Sequence, residues 1–236
     1  MIYVSSNLDL HDLRTKLNQM TERIVSRMKD RSRYPLNAVV YRPDAIPIAN
    51  RSGLSFLDFA LEGLEHYHAS LGRYRFPDQY RLTGVSPSAL VDRGSPTSPI
   101  QPVDIALKDE IVAFYYRLVR ALCPEGDDAT TYGETVYCDA DLIVLIHERI
   151  NVGRFVAEAK LQTDPAISDV VDDRRTLAQR LIQPQREQAV IDQARGIATR
   201  YDLDPEVVER CFRWIIEKTL DVEIEYLRRK YHGTGS

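Results

Sequence analysis

The chain has 236 residues, 44% of them hydrophobic and 28% charged, with a formal net charge of −4. That length carries one large domain or two small ones, and the composition is ordinary for a water-soluble globular protein. The acidic balance argues against a nucleic-acid binder, which shows a basic excess.

Taken in order, the opening MIYVSSNLDL has neither a basic start with an apolar core nor Arg-rich transit character, so a cytoplasmic protein is expected. No apolar run approaches the roughly 18 residues that span a bilayer, which predicts no membrane partner. Asn7 or Asp9 can cap a first helix running to about Arg31, with Leu10, Leu13, Leu17, Met20, Ile24 and Met28 as its apolar seam. Arg14 sits inside that seam, near a helix N-terminus where a cation is unfavourable. Pro35, Pro43, Pro47, Asn50 and Gly53 make the next stretch a loop. Ser55–Tyr74 reads as a helix ended by Pro77, with Phe56, Phe59, Ala60, Leu64, Tyr67 and Leu71 on its apolar side. Within the long Ser- and Pro-rich connection 81–102, a short helix is expected over Ser88–Arg93. Lys108–Cys123 is helical, and Pro124, Gly126, Asp127 and Asp128 form a turn.

Asp139–Asp164 follows a helical period, with Leu142, Leu145, Ile146, Ile150, Val152, Phe155, Val156 and Ala159 as its apolar residues. Gly153 lies inside it at a cost of about 1 kcal/mol against Ala. Arg149 and Lys160 are eleven residues apart, roughly three turns plus 20°, so they fall nearly on one line about 16 Å apart. Cations on a helix ordinarily face water. Here apolar neighbours bracket both, and an inward cation needs an anion, because an unpaired buried charge is costly. The pair could clamp a small dicarboxylate.

After Asp164-Pro165 come a short helix or loop to Asp173, a helix over Arg174–Leu181, another over Gln185–Tyr201 with Pro184 in its first turn, and a last helix over Pro205–Tyr231. Glu187 opens its helix, where the dipole favours a carboxylate. Thr219 and Glu223 share one face of the last helix, although Glu217, Asp221 and Glu225 make acidity there general. No alternating strand pattern recurs, so the chain is expected to be all-α, a helical bundle. The three cysteines, Cys123, Cys138 and Cys211, form no CxxC, and the five histidines show no zinc spacing, so no metal is expected. There is no Gly-rich phosphate loop, GxSxG or HExxH.

Four ordered blocks resemble the all-helical chorismate mutases, in their fungal and plant branch. They are LHDLRTKLNQMTERIVSRMKDRS, SFLDFALEGLEHYHASLGRY, GDDATTYGETVYCDADLIVLIHERINVGRFVAEAKLQTD and TLDVEIEYLRRK. The resemblance covers almost the whole chain. It implies one all-helical domain over residues 1–236, enlarged or duplicated from a smaller bundle, and a homodimer with an active site inside each subunit. It implies conversion of chorismate to prephenate, a Claisen rearrangement that needs no cofactor. Carried over, Arg14 and Arg149 would bind the two substrate carboxylates, Lys160 a carboxylate and the ether oxygen, and Glu187 the ring hydroxyl with Gln183 near it. Thr219 would hydrogen-bond near a carboxylate, and Glu223 would face the ether oxygen. Arg186 fits the bacterial form better than the fungal one, and its role stays open. At the position of the family's tyrosine and tryptophan effector site, Arg73 and Gly133 match in part, while Gly72, Glu134 and Tyr137 replace expected groups, which speaks against ordinary aromatic amino-acid control. The approach to the last helix is also shorter than in fungal members. Isochorismate or 4-amino-4-deoxychorismate as substrate, pyruvate elimination from isochorismate, a catalytically silent regulator of a partner enzyme, and a plain helical interaction module remain as alternatives.

Overall fold

The structure is a computed structural model describing residues 8–77, 79–84, 88–94 and 97–232. Eight α-helices form it: α1 Leu10–Ser32, α2 Phe56–Ser70, α3 Lys108–Leu122, α4 Tyr132–Asn151, α5 Gly153–Thr163, α6 Arg174–Leu181, α7 Pro184–Arg200 and α8 Pro205–His232. Short 3₁₀ turns lie at Ala38–Tyr41, Ala129–Thr131 and Pro165–Val170. No strand occurs among the described residues, only an isolated bridge between Ile48 and Arg51, so the all-α expectation holds. Among those residues no helix is long and apolar enough to cross a membrane.

Local chemistry sets the helix ends. Asp9 caps α1, its carboxylate accepting from the His11 N–H at 2.7 Å; Asn7, the other candidate, lies outside the described residues. Ser55 and Asp58 form a reciprocal capping box at the start of α2. That helix stops earlier than the expected Tyr74: Gly72 takes φ +74°, and a Cβ there would lie 2.8 Å from the Val91 carbonyl oxygen. The segment meeting it is not the expected Ser88–Arg93 helix. The Leu90 and Val91 N–H groups both donate to Ser70 O, at 2.9 and 3.2 Å, so they satisfy an orphan carbonyl at the end of α2 instead of a helical turn of their own.

The buried face of α2 is also different from the expected one. Leu57, Leu61, Glu65 and Ala69 point inward, whereas Phe59 is 41% and Tyr67 61% exposed. Glu65 explains the misreading, since an acid in a row of apolar residues hides the row. Its carboxylate is buried and accepts the N–H groups of Leu82 and Thr83 at 2.7 and 2.8 Å, which tethers the following connection.

The expected single helix over Asp139–Asp164 begins earlier, at Tyr132, and is divided at Val152. Asp139 is no cap. It lies inside α4, fully buried, and accepts from Arg31 Nε, Tyr115 OH and Tyr41 OH at 2.6, 2.6 and 2.7 Å. The division at Val152 coincides with a close approach of α5 to α8. A Cβ on Gly153 would lie 2.9 Å from Thr219 O and 3.1 Å from Thr219 Cγ2. Gly153→Ala gains about 1 kcal/mol of helix propensity but drives a methyl group against backbone, an overpacking cost of about 1–3 kcal/mol. A lower urea midpoint for the variant is the expected result, together with reduced activity, because Thr219 and Glu223 ride on the displaced helix.

Two groups of buried apolar side chains fill the interior. Ile24, Met28, Ile143, Ile146 and Phe212 belong to one, and Leu13, Met20, Phe155, Leu177 and Leu227 to the other. Helices α1 and α8 contribute to both.

Candidate active site

Where α1, α4, α5, α7 and α8 face one another, they leave a cavity. Its lining contains all seven residues singled out from the sequence: Arg14, Arg149, Lys160, Gln183, Glu187, Thr219 and Glu223. The apolar wall is Leu10, Leu13, Leu17, Val156, Val190, Ile216 and Leu220. Leu10 and Leu17 belong to the predicted seam of α1, and here they serve the cavity more than the core.

Arg149 stands in the last turn of α4, only 3% exposed. Among the described residues no ion pair or hydrogen bond compensates it, its Nε lacks an acceptor, and burial pushes its guanidinium down to about 10. A buried cation without a partner is costly to the fold and is explained by an anion that arrives from outside. Lys160 is held differently. Its ammonium donates to Glu223 Oε2 at 2.7 Å and to Leu181 O at 2.7 Å. An ammonium has three donors, so one remains beyond these two contacts. Burial pushes the Glu223 carboxyl above its ordinary range; Lys160 opposes that shift and Glu187 adds to it. The Thr219 hydroxyl, one turn before Glu223, donates to Ile215 O at 2.7 Å.

On the opposite wall Arg14 Nη2 donates to Gln183 Oε1 at 3.1 Å, and the Gln183 N–H donates to Glu187 Oε1 at 3.2 Å. Two further lining residues are Asn18 and Arg186. Asn18 was missed by the sequence reading; its signal is its place one turn after Arg14 on the same helix. Arg186 adds a fourth cation against the two carboxylates Glu187 and Glu223, so the cavity carries an excess of positive charge suited to a dianion. Among the described residues no group of three His, Cys, Asp or Glu side chains could hold a metal ion.

Residues 131–224 match the family described as chorismate mutase type II. The chain is 26% identical over 247 residues to the chorismate mutase of Schizosaccharomyces pombe, covering 96% of this chain and 98% of that one. It superposes on the crystal structure of a Candida albicans chorismate mutase in complex with L-Trp, with a TM-score of 0.89 and 28% identity over 97% of this chain and 94% of that one. Over nearly its whole length the chain is similar to all-helical chorismate mutases. A second solved mutase, the chloroplast enzyme of Zea mays, matches with a TM-score of 0.86 and 26% identity over 97% of each chain. In this chain the residues compared with an effector site are placed as follows. Arg73, just beyond α2, is ion-paired with Glu148 of α4. Gly72 makes the turn described above, and Gly133, Glu134 and Tyr137 lie in the first turns of α4, with Tyr137 64% exposed.

Proposed function

We propose that this cavity binds chorismate and converts it to prephenate, with Arg14 and Arg149 taking the two carboxylates. The observation that carries the proposal is Arg149, a buried cation with no partner among the described residues, in the same cavity as the Lys160–Glu223 pair. In the Claisen rearrangement the ether C–O bond breaks as a new C–C bond forms, with no external nucleophile or proton donor required. Catalysis therefore rests on holding the compact conformer and on fixed donors around the ether oxygen, where negative charge develops. Lys160 supplies one donor through its remaining N–H and also contacts a carboxylate. Protonated Glu223 supplies the other. Glu187 takes the ring hydroxyl with Gln183 beside it, and Thr219 hydrogen-bonds near a carboxylate by releasing its hydroxyl from Ile215 O.

The same reading makes residues 1–236 one domain, enlarged or duplicated from a smaller bundle, since α1 and α8 join both groups of buried side chains. It makes the enzyme a homodimer, supported by the apolar Phe59, Tyr67 and Leu71 exposed on and just after α2. A cytoplasmic setting is supported by three unpaired cysteines, which suit a reducing compartment. The test is loss of chorismate absorbance with product identification, run beside isochorismate. Prephenate from chorismate is the expected product. Turnover of isochorismate alone would overturn the substrate assignment.

A further inference from the structure

The connection between α6 and α7 consists of two residues, Ile182 and Gln183, and together with Leu181 at the end of α6 it touches three of the cavity's charged groups. Ile182 is extended, with ψ of 135°, and Gln183, with ψ of 81°, lies outside the helical region that the ring of Pro184 disfavours for the residue before it. This non-helical pair leaves helix-end groups free of helical partners. Leu181 O, at the end of α6, accepts from Lys160 at 2.7 Å. The Gln183 N–H, at the start of α7, donates to Glu187 at 3.2 Å. Gln183 O takes the N–H groups of Arg186 and Glu187 at 2.9 and 3.0 Å, so the helix is capped by backbone and the Gln183 side chain makes no capping bond. That side chain is therefore available for the cavity, and its oxygen meets Arg14 Nη2 at 3.1 Å. Arginine has donors only, so the amide must present its oxygen there.

Resting on the proposed chorismate site, we infer that Gln183 is a positioning residue that acts through Arg14. Arg14 is half-buried and enters no ion pair among the described residues, and its long side chain has many rotamers. Gln183 is the acceptor that selects one of them. It engages a single Nη and leaves the rest of the guanidinium fork for a carboxylate. A neutral amide does this without neutralising the cation, as a carboxylate in its place would.

The test is a double-mutant cycle on the full chain, with kcat and KM for chorismate measured for wild type, Gln183→Met, Arg14→Ala and the double variant. Methionine keeps the reach of the side chain and removes the acceptor. Gln183→Met is expected to raise KM about tenfold while kcat moves less than about threefold, the signature of lost uniform binding. In the Arg14→Ala background the same change is expected to alter KM less than about twofold, because residues acting as one unit are not additive. The melting temperature is expected to stay at the wild-type value, since the side chain caps nothing. Gln183→Asn, which withdraws the oxygen by one methylene, should give the same split and guards against an unfolded methionine variant. A KM effect that persists in full without Arg14, a wild-type KM in both variants, or a parallel loss of kcat and melting temperature would each overturn the inference. If wild type itself converts no chorismate, the reading of the site fails instead.

Discussion

Lys160→Met is expected to lower kcat/KM for chorismate by about 10³-fold, at the upper end of what loss of one donor to a developing oxyanion costs. The geometry explains the size. Two of the ammonium's contacts are fixed by Glu223 and by Leu181 O, both at 2.7 Å, so its remaining N–H is aimed before substrate arrives and needs no reorganisation as the ether bond breaks. Lys160→Arg is expected to recover little of the loss, because a planar fork cannot reproduce a point charge held between those two acceptors. The fold should survive the Met variant. Breaking a buried pair costs about 3–5 kcal/mol when a bare charge is left behind, but Glu223 already has a raised pKa and can become neutral instead. Its ordinary value is the unfolded reference, so the folded carboxyl holds its proton more tightly. That contribution to stability is present at low pH and is lost as pH rises through the folded pKa. Circular dichroism melts of the variant should thus show a penalty that grows with pH. A loss of less than tenfold in kcat/KM at pH 7 would remove Lys160 from the centre of the chemistry.

Much of this architecture was readable from periodicity. The sequence reading placed α6 at its observed bounds and α3, α7 and α8 to within a residue at either end, because a proline marks a boundary of each: Pro124 follows α3, Pro184 separates α6 from α7, and Pro205 opens α8. What could not be read depends on tertiary contacts. Glu65 is buried because two backbone N–H groups from residues 82 and 83 reach it, and nothing in α2 itself announces them. The division at Val152 reflects the approach of α8 from about 65 residues away in sequence, visible only as a glycine inside an apolar pattern. The cations were legible for a different reason. A charge bracketed by apolar neighbours is a local conflict, and such conflicts concentrate where a protein binds something. Asn18 and Arg186 create no such conflict, so their presence in the cavity lining became apparent only in the fold.

Across pH 5 to 9, kcat is expected to fall as pH rises through the Glu223 pKa, and Glu223→Gln is expected to be nearly flat. The carboxyl must carry its proton to donate to the ether oxygen, so the protonated form is the active one, and the wild-type rate drops about tenfold per pH unit above the pKa. Burial raises that pKa and the neighbouring Glu187 raises it further, against the opposing charge of Lys160. The proton therefore persists to higher pH than on an exposed glutamate. Gln presents an amide N–H in nearly the same shape at every pH, so its rate should lie below wild type in acid and above it in alkali, with the two profiles crossing. Arg149, pushed down only to about 10, keeps its charge over most of this range. His147, buried on the neighbouring turn and pushed down to about 3, stays neutral. Neither group can produce the fall. Superimposable profiles for wild type and Glu223→Gln would mean that the Glu223 proton takes no part in the rearrangement, and the ether oxygen would then be served by Lys160 alone.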